Sequence, residues 1–306
     1  VDRALVTNFS GVIDAGRRVI SDSGWADRET GDIYDIHIYP GPGAPQPEED
    51  RAGVLGEFGG LGLPIADHTW QDEANWGYRS FETREALTDA YVELINNLRP
   101  LIVSDGLSGA IYTQTTDVEI EVNGLMTYDR KVLKMDPDRV RAANLSVQGA
   151  MPVIRTLAPT ARREPVTWRY TTDRPGDAWM QPEFDASSWK EGAAGFGREG
   201  TPGAVNRTTW HERDIWLRRT FVLPDEFDAA TVQLRLHHDE DVEVYLNGVL
   251  AVERTGYTTG YIFVPITEEA RAALRPGENT IAVHCRQTTG GQYIDAGLIE
   301  MHEPAR

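Results

Sequence analysis

Val54-Leu55-Gly56-Glu57-Phe58-Gly59-Gly60-Leu61-Gly62 is the stretch that decides the fold of the first half of this chain. Its short apolar run predicts a buried strand, which delivers one carboxylate, Glu57, into a glycine-rich turn. Glycine has no Cβ, so the backbone of such a turn can bend sharply or approach a ligand closely. A carboxylate at a strand end is held rigidly, as a nucleophile or a general base requires. A helix N-cap or a solvated loop acid is the alternative interpretation.

Length and charge limit the classes of function. A chain of 306 residues is long enough for two domains. Its formal net charge of −18 argues against nucleic acid as a partner, because phosphate binding needs clustered lysine and arginine. No apolar run approaches the ~20 residues of a membrane-spanning helix. Cys285 is the single cysteine, which excludes an intrachain disulfide and zinc sites built from cysteine pairs.

The first half alternates strands with a helix. An amphipathic helix is predicted over about residues 83–104, because apolar residues recur there every three or four positions and Gly106 follows as a stop signal. Strand, loop, helix and strand in this order predict a parallel α/β sheet, and a (β/α)8 (TIM) barrel is one form of it. The predicted strands cover residues 18–21, 33–39, 53–56 and 108–112.

Polar and aromatic side chains follow the predicted strands. In a barrel the carboxyl ends of the strands converge on one face, so these side chains are expected to share a pocket with Glu57. Two tryptophans on the loop after Glu57 could stack on the C–H face of a sugar. The candidate substrate-binding residues are Trp25, His37, Trp70, Trp76, Tyr112 and Gln114, with Tyr39 beside the candidate catalytic Glu57.

The pattern changes in the second half, where helices nearly vanish. Short alternating strands are predicted at 216–223, 231–236, 242–246 and 280–284, and Asn247-Gly248 is a strong hairpin signal. Regular short strands of this kind predict an antiparallel β-sandwich over residues 166–306. Residues 151–165 are predicted to link it to the first domain, residues 1–150.

Three motifs in the first half resemble a known family when they are taken together. They cover residues 35–43 (DIHIYPGPG), 54–60 (VLGEFGG) and 112–119 (YTQTTDVE). In this order they look like strands five to eight, the C-terminal half, of the catalytic (β/α)8 barrel of glycoside hydrolase family 2, the β-galactosidase and β-glucuronidase family. Residues 166–306 resemble the galactose-binding-like jelly roll that is appended to such enzymes.

The resemblance implies a retaining exo-β-glycosidase that hydrolyses terminal β-glycosides of an oligo- or polysaccharide. It makes Glu57 the nucleophile, Tyr39 a hydrogen-bond partner of the nucleophile, and His37 a ligand of a sugar hydroxyl. The family's acid/base glutamate ends strand four in an Asn-Glu pair, and this sequence contains no such pair. We therefore expect the acid/base residue upstream, an inactive fragment, and a barrel completed by missing upstream chain or by a partner subunit.

The resemblance also bears on the sugar. Family members that act on glucuronides carry an Asn-x-Lys motif for the sugar carboxylate, and this sequence has none. A neutral hexoside such as a β-galactoside is therefore favoured, although Arg28, Arg51 or Arg79 could reach a carboxylate.

Other interpretations remain open. Asp239 and Asp241 could hold a calcium ion, and no other cofactor is expected. The chain could instead be a non-catalytic carbohydrate-binding module in which the sandwich supplies the activity. It could also be purely structural, with a sandwich that only supports the barrel.

Overall fold

The computed structural model describes residues 16–304. The chain divides into two compact units, with the boundary between Pro152 and Val153. None of the helices in the described range is long and apolar enough to cross a membrane.

The first unit contains a parallel sheet. Its strands are β1 (Ile33–Ile38), β2 (Ala52–Gly59), a short pair β3 (Leu61–Gly62) and β4 (Arg79–Ser80), and β5 (Gly109–Thr113). Within residues 16–152, β2 lies between β1 and β5, and both neighbours run parallel to it. The carboxyl ends of these three strands therefore lie at the same edge, where Glu57 is carried by β2.

Between residues 16 and 152 two helices accompany this sheet, α1 (Arg84–Asp105) and α2 (Pro137–Ser146). The N-cap of α1 is Thr83, whose hydroxyl accepts a hydrogen bond from the Ala86 amide, and Gly106 ends the helix in the left-handed conformation. The side chains of α1 that repeat at helical spacing are buried, namely Leu87, Tyr91, Ile95, Leu98 and Leu101. The helix predicted over about 83–104 is therefore present.

The strand predicted at residues 18–21 does not form. Ile20 makes only a single bridge to Gly31, and the Val19 amide donates to the Asp32 carboxylate at 2.8 Å. The segment therefore pairs locally with the chain just before β1 instead of joining the parallel sheet. A four-residue apolar run is too short for its periodicity to separate these outcomes.

The second unit is built from strands. In chain order they are β6 (Val153–Ala158), β7 (Thr167–Thr171), β8 (Lys190–Ala193), β9 (Phe196–Gly197), β10 (Thr208–Thr209), β11 (Asp214–Leu223), β12 (Val232–Asp239), β13 (Asp241–Leu246), β14 (Val249–Arg254), β15 (Ile262–Pro265), β16 (Gly277–Arg286) and β17 (Tyr293–His302). A 3₁₀ turn covers Ala229–Thr231, and a short helix, α3 (Glu268–Ala273), precedes β16.

These strands form two sheets with one shared core. One sheet has the order β10-β9-β17-β12-β15, with β6 also paired to β17, and the other has the order β14-β13-β16-β11-β7-β8. Alternate side chains of both sheets enter a single buried cluster, for example Leu234 and Leu236 of β12 and Val242 and Val244 of β13. This alternation is what the sequence pattern predicted for the second half.

The hairpin signal at Asn247-Gly248 is confirmed. Both residues have positive φ, 47° and 84°, as the turn between β13 and β14 requires. The Asn247 side chain also accepts from the Thr280 amide at 2.8 Å, so the turn is tied to β16.

The segment predicted as a linker, 151–165, is instead partly built into the second unit. β6 pairs antiparallel with β17, Ala158 and Ala161 are fully buried, and the Ala161 amide donates to Asp295 at 2.7 Å. The change of pattern along this segment suggested a linker, but Leu157, Ala158 and Ala161 pack into the core of the second unit.

Candidate active site

Glu57 lies near the carboxyl end of β2, opposite His37 of β1. The chain then turns at Gly59 and Gly60, whose φ angles are 99° and 63°. A Cβ on Gly59 would overlap the ring of Tyr112. Glycine is therefore required here both by the backbone conformation and by the close approach of a ring.

Tyr39 is the nearest hydrogen-bond donor to Glu57. Its hydroxyl donates to Glu57 Oε2 and lies 3.0 Å from Thr113 Oγ1 of β5. Burial, and then the bond to Glu57, raises the pKa of Tyr39 well above its ordinary value. The phenol therefore remains protonated at neutral pH and acts as a donor to the carboxylate.

His37 connects Glu57 to a buried acid. Its Nδ1 lies 3.4 Å from Glu57 Oε2, and its Nε2 lies 3.1 Å from Ser23 Oγ. Ser23 in turn donates to Asp35 Oδ2 at 2.8 Å. Asp35 occupies the space over Gly56, where a Cβ would overlap its carboxylate. Sequence reasoning missed Ser23 and Asp35, although Asp35 stands in the same motif as His37.

Aromatic rings surround this group. The Tyr78 ring stacks on that of Tyr39 at 3.8 Å with an interplanar angle of 3°, and Trp76 meets Tyr78 edge-on at 5.3 Å. Trp25 meets His37 edge-on at 6.1 Å. Trp25 is 76% exposed and Trp76 is 41% exposed, so both retain faces open to a ligand. The structure thus brings the predicted Trp25 and Trp76 to the Glu57 group and adds Tyr78, which the sequence did not single out.

Trp70 and Tyr112 lie elsewhere. Trp70 is 60% exposed and its ring contacts Tyr128 edge-on at 5.7 Å. Tyr112 lies on the opposite face of β5 from Thr113, and its ring packs against Phe58 and against Tyr91 of α1. Because side chains alternate along a strand, Tyr112 cannot share the Glu57 face with Thr113. The predicted substrate contact of Tyr112 is therefore replaced by a packing role between sheet and helix.

Gln114 is engaged within the loop that follows β5. Its Nε2 donates to Asn123 Oδ1 at 2.7 Å, and Asn123 Nδ2 donates to Glu121 Oε1 at 2.8 Å. This chain of bonds begins next to Thr113, which contacts Tyr39. Gln114 therefore supports the site from within the loop, and neither Asn123 nor Glu121 was predicted as part of it.

A buried ion pair holds the same loop. Lys134 is fully buried, and its Nζ lies 2.6 Å from Asp117 Oδ1 and 2.8 Å from the Val122 carbonyl. The Gly124 amide donates to the same Asp117 oxygen at 2.7 Å. Burial raises the pKa of Asp117 and lowers that of Lys134, and their mutual attraction opposes both shifts. The pair fixes the backbone on both sides of Asn123.

The arginines that could have bound a sugar carboxylate are engaged. The buried Arg51 guanidinium donates hydrogen bonds to two carboxylates, Asp27 at 2.6 Å and Glu48 at 2.7 Å. Arg28 pairs with Asp22 at 3.5 Å, and the Arg79 guanidinium lies 5.3 Å from the centre of the Phe81 ring.

The predicted calcium ligands do not form a cation site. The Asp241 carboxylate accepts from the Gly256 amide at 2.9 Å, and burial raises the pKa of the neighbouring Asp239 to about 6. Across residues 16–304, no three histidine, cysteine or acidic side chains gather as metal ligands.

Comparison with known proteins gives similar solved structures. The sequence matches no protein-family model, and no curated protein matches it. A β-glucuronidase from Bacteroides uniformis is 19% identical, with a TM-score of 0.33 over 49% of this chain and 18% of its own. A Ruminococcus gnavus β-glucuronidase, in complex with uronic isofagomine, is 12% identical, with a TM-score of 0.34 over 50% and 29%.

A third structure is a glycosyl hydrolase family 2 member from Bacteroides cellulosilyticus, 13% identical, with a TM-score of 0.34 over 47% of this chain and 20% of its own. The chain therefore spans between 18% and 29% of the length of these proteins. The solved structures that it resembles over about half its length are family 2 glycoside hydrolases, the family that its three sequence motifs resemble.

Proposed function

We propose that this chain carries the nucleophile of a retaining β-glycosidase, and that Glu57 is that nucleophile. The observation that supports this most is the convergence on one carboxylate oxygen. Glu57 Oε2 accepts from the Tyr39 hydroxyl and lies 3.4 Å from His37 Nδ1, at the end of a parallel strand. A carboxylate aimed in this way from a rigid element suits attack on an anomeric carbon.

The reaction would proceed in two steps. Glu57 attacks the anomeric carbon, the bond to the leaving oxygen breaks, and an acid gives that oxygen a proton. Water then cleaves the glycosyl ester and restores the Glu57 carboxylate, whose returning charge Tyr39 stabilises by donating its hydrogen bond. Retaining enzymes place the second carboxyl group about 5–5.5 Å from the first. We assign that role to a glutamate outside this sequence, as the family pattern implies.

The proposed substrate is a neutral β-galactoside within an oligo- or polysaccharide. Support comes from Arg51, which is committed to Asp27 and Glu48 and so has no free fork for a sugar carboxylate. The exposed faces of Trp25 and Trp76 provide stacking surfaces for sugar rings on either side of the Glu57 group.

A completed barrel would require further chain beside this sheet. We propose that the remaining strands of the barrel, supplied by upstream sequence or by a partner subunit, pair with the edges of this sheet. Supporting this, a cleft of about 560 Å³ opens beside β5 and is lined by apolar groups that include Phe58, Ile95, Leu98 and Leu107. The second unit would be the jelly roll that accompanies such barrels.

The test uses a glycoside whose departure needs no proton. We expect 2,4-dinitrophenyl β-galactoside to give this chain a burst of about one equivalent of dinitrophenolate, because Glu57 can attack without the missing acid. Methyl β-galactoside should not react. Glu57→Gln should abolish the burst, whereas Glu119→Gln, the same change at an exposed acid, should leave it intact. A burst that survives Glu57→Gln would refute the assignment.

The second unit favours one further candidate, a carbohydrate-binding module. A cleft of about 430 Å³ on it is lined by two aromatic residues, Trp168 and Phe184, and by polar groups that include Arg169, Glu191 and Thr220. Galacto-oligosaccharide binding in calorimetry that survives Glu57→Gln and is lost in Arg169→Met would favour this candidate.

A further inference from the structure

The loop after β5 carries a second acid next to the aromatic rings of the Glu57 site. The Trp76 amide donates to the Ile120 carbonyl at 2.9 Å, and the Val122 amide donates to the Trp76 carbonyl at 2.9 Å. These two bonds flank Glu121 and pair it with Trp76 as in a strand. The backbone of Glu121 is therefore fixed beside a ring that contacts Tyr78.

The Glu121 side chain is also oriented. Asn123 is fully buried, accepts from Gln114 and donates to Glu121 Oε1. A buried amide with partners on both sides has one favourable orientation, so it holds the carboxylate in place. Glu121 itself remains half-buried, with one oxygen left for another donor. Glu119, two positions earlier, is exposed.

Tyr78 connects Glu121 to Glu57. Its ring lies flat on the Tyr39 ring, whose hydroxyl donates to Glu57. Burial raises the pKa of Tyr78, and the negative charges of Glu121 and Glu57 raise it further. Trp76, which pairs with Glu121 through the backbone, also meets the Tyr78 ring edge-on, so Glu121 is carried next to the ring that stacks on Tyr39.

We propose that Glu121 is a second carboxylate of the Glu57 site and a specificity-determining residue for a neutral or cationic sugar. Its free oxygen accepts hydrogen bonds from sugar hydroxyl groups, and its charge opposes a sugar that bears a carboxylate. The inference rests on the proposed function of Glu57 and adds the substrate class that the site selects. It explains the selectivity through a local charge, in addition to the commitment of Arg51 to Asp27 and Glu48.

The experiment measures binding, so it needs no turnover. Isothermal titration compares two ligands, the cationic iminosugar 1-deoxygalactonojirimycin and the anion galacturonate, on the wild type, Glu121→Gln and Glu119→Gln. Glutamine keeps the shape and the bond from Asn123 but removes the charge. We expect Glu121→Gln to raise the Kd of the iminosugar about tenfold and to strengthen galacturonate binding relative to iminosugar binding. Glu119→Gln should change neither Kd.

The possible outcomes distinguish a Glu121 that acts on the ligand through its charge from a Glu121 that only supports the structure. A structural role would weaken both ligands equally in Glu121→Gln, and this result would overturn the inference. A wild type that binds the iminosugar, with Glu121→Gln identical to Glu119→Gln, would overturn the inference alone and leave the assignment of Glu57 intact. A wild type that binds neither ligand, and gives no burst with the dinitrophenyl glycoside, would overturn the inference and the proposed function together.

Discussion

Replacement of His237 by glutamine is expected to change how the stability of the second unit depends on pH. His237 is fully buried on β12, between the rings of Tyr261 and Tyr293, and its Nε2 lies 3.2 Å from the Thr258 carbonyl. Burial, and after it the neighbouring His238, lowers the pKa of His237 to about 3. A glutamine amide can donate to the same carbonyl without titrating.

The direction of this pH dependence follows from the lowered pKa of His237. The unfolded chain takes up a proton near pH 6.5 and the folded chain only near pH 3, so acid favours unfolding between these values. The stability that neutral His237 preserves is complete above pH 6.5 and is lost as the pH falls. The slope reaches about 1.4 kcal/mol per pH unit only below pH 6.5, where the unfolded histidine is half protonated, so the loss between pH 6.5 and 4.5 is roughly 2 kcal/mol. His237→Gln has no titrating group at this position, so its stability does not include this decrease.

The assay is urea unfolding, followed by circular dichroism at a series of pH values. The free energy of unfolding of the wild type should fall by roughly 2 kcal/mol relative to His237→Gln from pH 6.5 to 4.5. Burial raises the pKa of Asp295 and of Asp239 to about 6, which acts in the opposite sense, but both proteins share these groups. His211→Gln, at an exposed histidine, is the control. A difference that is independent of pH would refute the reasoning.

Three other changes probe the first unit. Tyr39→Phe removes a charge-assisted hydrogen bond that favours the Glu57 carboxylate over its glycosyl ester, worth ~1.5–3 kcal/mol, so the release of dinitrophenolate after the burst, which is limited by cleavage of the ester, should slow by tenfold or more; an unchanged rate would contradict this role. Lys134→Met leaves the Asp117 charge buried and should cost ~3–5 kcal/mol in urea unfolding, part of which Lys134→Met with Asp117→Leu recovers. Gly59→Ala must adopt a φ of 99° and overlap a neighbouring ring, so its melting temperature should fall clearly, whereas an unaffected value would show that the turn relaxes.

Local sequence patterns predicted the regular elements well. The helix over about 83–104 and the Asn247-Gly248 turn depend on residues that are near each other in the chain, so periodicity and turn chemistry suffice. The predicted strand at 18–21 failed because its partner lies in the segment just before β1.

The site was only partly predictable for a related reason. Glu57, His37 and Tyr39 stand at strand ends, a position that the sequence reveals. Tyr78 joins them through a loop whose Trp76 backbone pairs with residues 120 and 122, and the buried Lys134 and Asp117 pair holds that second segment. Tyr112 was misplaced because the face it occupies depends on strand register.

Covalent labelling tests the central claim most directly. The chain is incubated with 2,4-dinitrophenyl 2-deoxy-2-fluoro-β-galactoside, whose leaving group needs no proton and whose fluorine slows release of the glycosyl ester, and the peptides are then sequenced by mass spectrometry. If Glu57 is the nucleophile, one fluorogalactosyl group will be found on the carboxylate within residues 54–60, and Glu57→Gln will abolish it. A label on another carboxylate, or one that persists in Glu57→Gln, would contradict the assignment.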